Sequence, residues 1–158
     1  MSTTPNSIIT AQTPNAGIMN VVLSTAMTNT KAFDGTEAAG TAMAKVFEAG
    51  ASGAILDEIR LKYGSTNGAT ASGTTNATVA RIWLNNGSTN TTPGNNQFIG
   101  EVAILAQTVA ALGTSEMIEF VFPWGKAIPA NYDVYVGLTV TVGGTNCAIA
   151  VSANGGDL

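Results

Sequence analysis

Two pairs of carboxylates are the first candidates for chemistry in this sequence, Asp57 with Glu58 and Glu116 with Glu119. Glycoside hydrolysis needs two acids ~5 to ~9.5 Å apart across a groove. Adjacent residues of a strand point to opposite faces, so Asp57 and Glu58 share a site only if a bulge turns one of them. Asp34-Gly35-Thr36-Glu37 has the flavour of a calcium loop but lacks the alternating acids and the terminal glutamate spacing, and reads as a solvated turn. The chain has no histidine and one cysteine. A zinc site is thereby dismissed, and the side chain best suited to proton transfer near pH 7 is missing. Cys147 alternates with Ile149 and Val151, which predicts a small buried hydrophobe. The glycines at 50 and 53 lack the following helix and lysine of a phosphate loop. The expectation is a protein that is not an enzyme and holds no cofactor and no metal.

Recognition is the other chemistry these residues offer. Arg81 and Trp83 share a strand face and Trp124 follows Pro123 at a strand end. Tryptophan and arginine are favoured in interface hot spots, which makes all three candidate partner-binding residues. The competing reading of the first two is a ring packed under a guanidinium at a sheet surface. Ile8 and Ile9 form an isolated apolar pair in a polar start and are candidates for a contact made by an extended arm. Asn76-Ala77-Thr78, Asn86-Gly87-Ser88 and Asn90-Thr91-Thr92 match the glycosylation triplet, which an Asn/Thr-rich chain generates by chance.

The elements that must position these residues read as strands. Residues 1–17, with Pro5 and Pro14, read as an extended N-terminal arm, and 18–158 as a single β-sandwich domain. Alternation predicts strands over 18–24, 43–49, 53–63, 78–84, 97–105 and 117–122, with a bulge at Leu56-Asp57 and a stop at Pro123-Trp124-Gly125. The clearest pattern sets Tyr132, Val134, Val136, Leu138 and Val140 against Asp133, Tyr135, Gly137 and Thr139, a half-buried strand. Gly143-Gly144-Thr145-Asn146 then predicts a hairpin to Cys147, Ile149 and Val151. Short strands at this spacing, with no apolar stripe of helical period, give an all-β fold: an antiparallel β-sandwich, jelly-roll-like. Gly-Ser-Thr-Asn recurs at Gly64 and Gly87, but the flanking strands do not match, so these are similar loops and not repeats.

Composition narrows the partners. Six basic residues against ten acidic ones, with no cationic cluster, argue against nucleic acid. The longest apolar stretch, 102–113, is broken by Gln107 and Thr108 and falls short of the ~20 residues of a membrane span. The opening Met-Ser-Thr-Thr-Pro-Asn-Ser has no basic-then-apolar leader, which predicts synthesis in a cytoplasm. Charged residues make up 10% of the chain, against ~25% in an ordinary soluble domain, so part of the surface is expected to be covered by other subunits.

Several segments together carry a family resemblance: Val46-Phe47-Glu48-Ala49-Gly50 with Gly53-Ala54-Ile55-Leu56, Ala80-Arg81-Ile82-Trp83-Leu84-Asn85-Asn86-Gly87, Glu101 in its apolar strand, Ile128-Pro129-Ala130 before Tyr132, and Gly155-Gly156-Asp157-Leu158. From about residue 43 onward the chain resembles small tailed-bacteriophage virion proteins, above all capsid cement (decoration) proteins. The resemblance implies a homotrimeric jelly-roll or β-sandwich subunit on the outer capsid surface of a virion, clamping neighbouring major capsid proteins against internal pressure, with no catalytic residues. A rival expectation is a tail or fibre-tip module that binds a host surface glycan through loops 64–76 and 87–96. A polysaccharide-active enzyme ranks third.

Overall fold

Strand formation follows the alternation closely, and where alternation is clearest a strand forms but is buried on both faces. The structure is a computed structural model describing residues 13–15, 21–28, 35–37, 42–66, 71–109 and 119–158. Its strands are β1 (Thr13–Asn15), β2 (Val21–Leu23), β3 (Met43–Glu48), β4 (Ala54–Ser65), β5 (Gly73–Thr74), β6 (Thr78–Asn85), β7 (Asn96–Ile104), β8 (Thr108–Val109), β9 (Glu119–Ile128), β10 (Asp133–Leu138) and β11 (Cys147–Asp157). No α-helix occurs among the described residues; a single 3₁₀ turn spans Pro93–Asn95.

Two antiparallel sheets carry the fold. Sheet I has the order β1-β11-β4-β9, with β2 also paired to β11; sheet II has the order β3-β10-β6-β7. Counting β1 and β2 as one edge position leaves eight principal strands, in the orders first-eighth-third-sixth and second-seventh-fourth-fifth. That is the jelly-roll wrap, in which paired segments of the chain cross together from sheet to sheet. The β5–β8 pair forms a separate short ribbon.

The core lies between the sheets. Ile59 and Leu61 of β4 and Ile149, Val151 and Ala153 of β11 face Val46 of β3, Ala80 and Ile82 of β6 and Val134, Val136 and Leu138 of β10. Cys147 is buried as expected, its thiol near the carbonyl oxygens of Ser72 and Thr145. The bulge expected at Leu56-Asp57 is present: Asp57 is the extra residue between the partners of Asn154 and Gly155 on β11.

Four expectations are corrected. β10 is buried on both faces and not half-buried, because residues 24–28 and 42 cross its outer side, with the Met27 amide bonded to the Leu138 carbonyl at 2.8 Å and the Leu138 amide to Ala42 at 3.1 Å. β11 is not the hairpin partner of β10; residues 139–146 carry the chain to the other sheet, where β11 pairs with β4, β1 and β2. β9 runs through Pro123-Trp124-Gly125, since proline is tolerated on an edge strand and Gly125, at φ 60°, absorbs the local register shift. Residues 13–15, expected within the arm, pair with Gly155–Asp157. Ile8, Ile9 and the start of the strand expected over 18–24 lie outside the described residues.

Candidate attachment surfaces

Trp83 is the expected contact residue that the fold removes from the surface. It points outward from β6, yet its exposure is 0%, because Met27, Met43, Tyr135, Ala42 and Phe98 close over it in a second small core. Phe98 meets its ring edge to face at 6.1 Å. Gly35, at φ 65°, lies so close that a Cβ there would be 2.8 Å from Trp83 Cδ1. Trp83 therefore pins the chain that crosses sheet II and cannot touch a partner without unfolding that cover. Arg81, on the same strand face, points its Nε at Glu101 Oε2, 3.3 Å away on β7. Trp124 is half-buried on β9, edge to face with Phe122 at 6.2 Å, and its indole N–H is buried with no hydrogen-bond acceptor among the described residues.

The polar tip at 87–96 is tied down by asparagines. Asn85 Nδ2 donates to Asn96 Oδ1 at 2.8 Å while Asn85 Oδ1 accepts from the Gly87 amide at 2.8 Å. Asn96 Nδ2 donates to the Asn90 carbonyl at 2.6 Å, and the buried Asn90 amide donates in turn to the Glu37 carbonyl. Alternation could not reveal these bonds, which hold the tip to itself and, through Asn90, to a segment distant in sequence. What stays open there is a concavity of about 200 Å³ lined by Leu84, Asn86, Asn95, Asn96, Gln97 and Tyr132.

Several of the described carboxylates are held in ion pairs and caps. Glu58 accepts from Arg60 Nε at 2.5 Å and from Asn154 Nδ2 at 3.1 Å, while Arg60 also reaches Glu119 at 3.4 Å. Those bonds to Arg60 and Asn154 hold the Glu58 carboxyl below the usual range. Asp57 is exposed on the bulge, and Glu116 and Asp34 lie outside the described residues. Glu37 accepts from the amide, 2.7 Å, and the hydroxyl, 3.0 Å, of Thr28. Among the described residues, no three His, Cys, Asp or Glu side chains group as metal ligands. Burial pushes the Asp133 carboxyl up despite Lys45 at 3.4 Å. Burial alone would lower Lys45, but its bond to Glu48 and the field of Asp133 raise it on balance.

Comparison with protein-family models, with characterised proteins and with solved structures finds no match to this chain. Function must be argued from its surfaces.

Among the described residues, two surfaces expose large aliphatic side chains, and they lie on opposite outer faces of the sandwich. On sheet I, Val22 is 38% and Val121 40% exposed, flanking a shallow concavity of about 460 Å³ lined by Val22, Arg60, Lys62, Glu119, Ala150 and Ser152. On sheet II the crossing segment covers Trp83, Tyr135 and Gly137 but leaves one end bare, where Ala77, Val79, Ala103, Leu105 and Val140 line a groove of about 250 Å³. Leu105 is 62% and Val140 43% exposed, and no lining residue of that groove is charged. Sequence reading missed both surfaces. Leu105 continues a strand pattern, and only the path of another segment decides whether an outward residue is covered.

Proposed function

We propose that this protein is a structural virion subunit, a capsid cement protein that binds the outer capsid surface and ties neighbouring major capsid proteins together. The observation that carries this reading is the pair of aliphatic surfaces on opposite faces of one rigid jelly roll, with Val22 and Val121 on one and Leu105 and Val140 on the other. A protein that joins others needs more than one face for contact, and an apolar centre rimmed by polar groups is the composition of a protein interface. On sheet I the exposed valines stand on the two edge strands with Ala150, Ser152, Arg60 and Lys62 between them, a mixed apolar and polar surface, whereas the sheet II groove is lined by uncharged and largely apolar residues. Many weak seats on a symmetric shell add up to tight attachment through avidity. The segment resemblance to decoration proteins and the scarcity of charge support the same role.

Cryo-electron microscopy of the source particle tests it. Density matching the sandwich on the outside of the capsid shell is the expected result, and a particle without this chain on its shell overturns it.

One observation favours a second reading, a tail or fibre-tip module that binds a host glycan. The concavity beside the asparagine-tied loop places Asn86, Asn95, Asn96 and Gln97 next to the Tyr132 ring, a set suited to sugar hydroxyls and a sugar face. Density at the tail, with binding on a glycan array abolished by Tyr132→Ala, would establish that reading in place of the first.

A further inference from the structure

The bare groove on sheet II has a candidate occupant within the chain itself. Twelve residues precede β1, and in them Ile8 and Ile9 are the one adjacent pair of large aliphatic side chains. That stretch, Met-Ser-Thr-Thr-Pro-Asn-Ser-Ile-Ile-Thr-Ala-Gln, carries no charged side chain. The groove is equally uncharged, whereas the outer face of sheet I presents Glu58, Arg60, Lys62 and Glu119. An aliphatic pair in an uncharged segment loses less by desolvating against the groove than a charged segment would.

Where the arm leaves the sandwich decides whose groove it can fill. Thr13 is opposite Asp157, at the end of β11. The groove belongs to the other end: Ile149, eight residues back along β11, pairs with Tyr63, whose hydroxyl donates to the carbonyl of Asn76, next to groove residue Ala77. Eight residues of strand span about 26 Å, and the groove also lies on the far side of a sandwich whose sheets pack ~10 Å apart. Ile9 is four residues before Thr13 and Ile8 five, so a fully extended chain carries them at most about 14 and 18 Å from it. Neither isoleucine reaches the groove of its own subunit.

We infer that the Ile8-Ile9 segment of one copy docks in the Val79/Ala103/Leu105/Val140 groove of a second copy, so that subunits are linked end to end by their N-terminal arms. β7 lies at the edge of sheet II and pairs only with β6 among the described strands, leaving main-chain groups beside the groove for an extended arm to bond. This linkage concerns contacts between copies and stands whether the assembled subunits coat a capsid or a tail.

Two measurements on the full-length protein test it. In sedimentation velocity over a concentration series, Leu105→Asp and the double variant Ile8→Asp/Ile9→Asp should each weaken self-association on the order of ten- to a hundred-fold, the ratio that burial of one isoleucine supports. The arm substitutions precede β1 in the chain and alter no residue of the groove's own strands, so they report even if Leu105→Asp disturbs folding. A monomeric wild-type protein, or association unchanged in the arm variant, overturns the inference and leaves the groove to another occupant. In a Cys147→Ala background, a chain carrying Ile8→Cys or Ile9→Cys is mixed with one carrying Leu105→Cys and oxidised. A disulfide between the two different chains is expected. No bond from either arm position, or a bond closing within one chain when both cysteines are on it, overturns the arrangement.

Discussion

Gly35 lies against the face of Trp83, at a separation that leaves no room for a methyl group: a Cβ on Gly35 would be 2.8 Å from Trp83 Cδ1. The contact joins the segment crossing sheet II to the strand beneath it. Gly35→Ala combines overpacking with an unfavourable φ of 65° and should cost about 1–3 kcal/mol. Trp83→Ala empties the second core and should cost about 3–5 kcal/mol. Urea unfolding followed by far-ultraviolet circular dichroism reads both. Equal stability of Trp83→Ala and wild type would return Trp83 to the surface.

Asn90 bridges the loop after β6 to the carbonyl of Glu37, with Met43 Sδ 3.5 Å from its amide nitrogen. Asn90→Leu removes the donor and leaves a carbonyl short of a partner, so a loss of about 1–3 kcal/mol is expected. Hydrogen exchange of residues 86–96 should accelerate in the variant. Unchanged protection there would mean that the asparagine bonds do not restrain the loop.

The ionisable groups set opposite pH trends. Asp133 has its carboxyl raised above the ordinary 3.8 by burial, so the folded state holds this proton more tightly and stability from the group falls as pH climbs from that value through the folded one. Asp133→Asn should gain on wild type across that window. Glu58, lowered below 4.5 by its bonds to Arg60 and Asn154, contributes stability present above 4.5 and lost as pH falls through its folded value. Glu58→Gln should therefore flatten the acid limb of the melting-temperature profile. Lys45, raised above 10.5, contributes below that value and loses its contribution as pH rises through the folded one. Parallel profiles for wild type and both variants would contradict the Asp133 and Glu58 assignments.

Val121 stands on the outer face of sheet I with no role in the core, so Val121→Asp should change stability by no more than about 1 kcal/mol. If that face seats the subunit, the same substitution should lower occupancy on purified shells at least ten-fold. Full occupancy by the variant would move the seat elsewhere.

Cys147 is enclosed, its thiol near two carbonyl oxygens at 3.8 and 3.4 Å. A thiol reagent should modify it far more slowly in the native protein than in denaturant. Equal rates in the two would show that the turn at 143–146 opens freely.

Strand positions were legible wherever period-two alternation set apolar against polar residues, as over β6 and β7, because the pleat sends successive side chains to opposite faces. The bulge at Asp57 was legible too, as a break in that phase. Trp83 was not, since an outward position on a strand is a surface position only if nothing crosses it. Nor was the run of β9 through Pro123, whose tolerance depends on the strand being an edge.

By itself the sequence determined that this is an all-β chain without histidine, sparing in charge, with its alternation and turns placed so that short antiparallel strands must stack into a sandwich. Those are local properties, set by side-chain period and backbone conformation. Tertiary structure alone decided that β11 leaves β10 for the other sheet, that residues 24–28 and 35–37 bury Trp83, and that Leu105 and Val140 stay bare. Each of these depends on which distant segments meet, and a residue's own neighbours in sequence carry no record of what will lie across it.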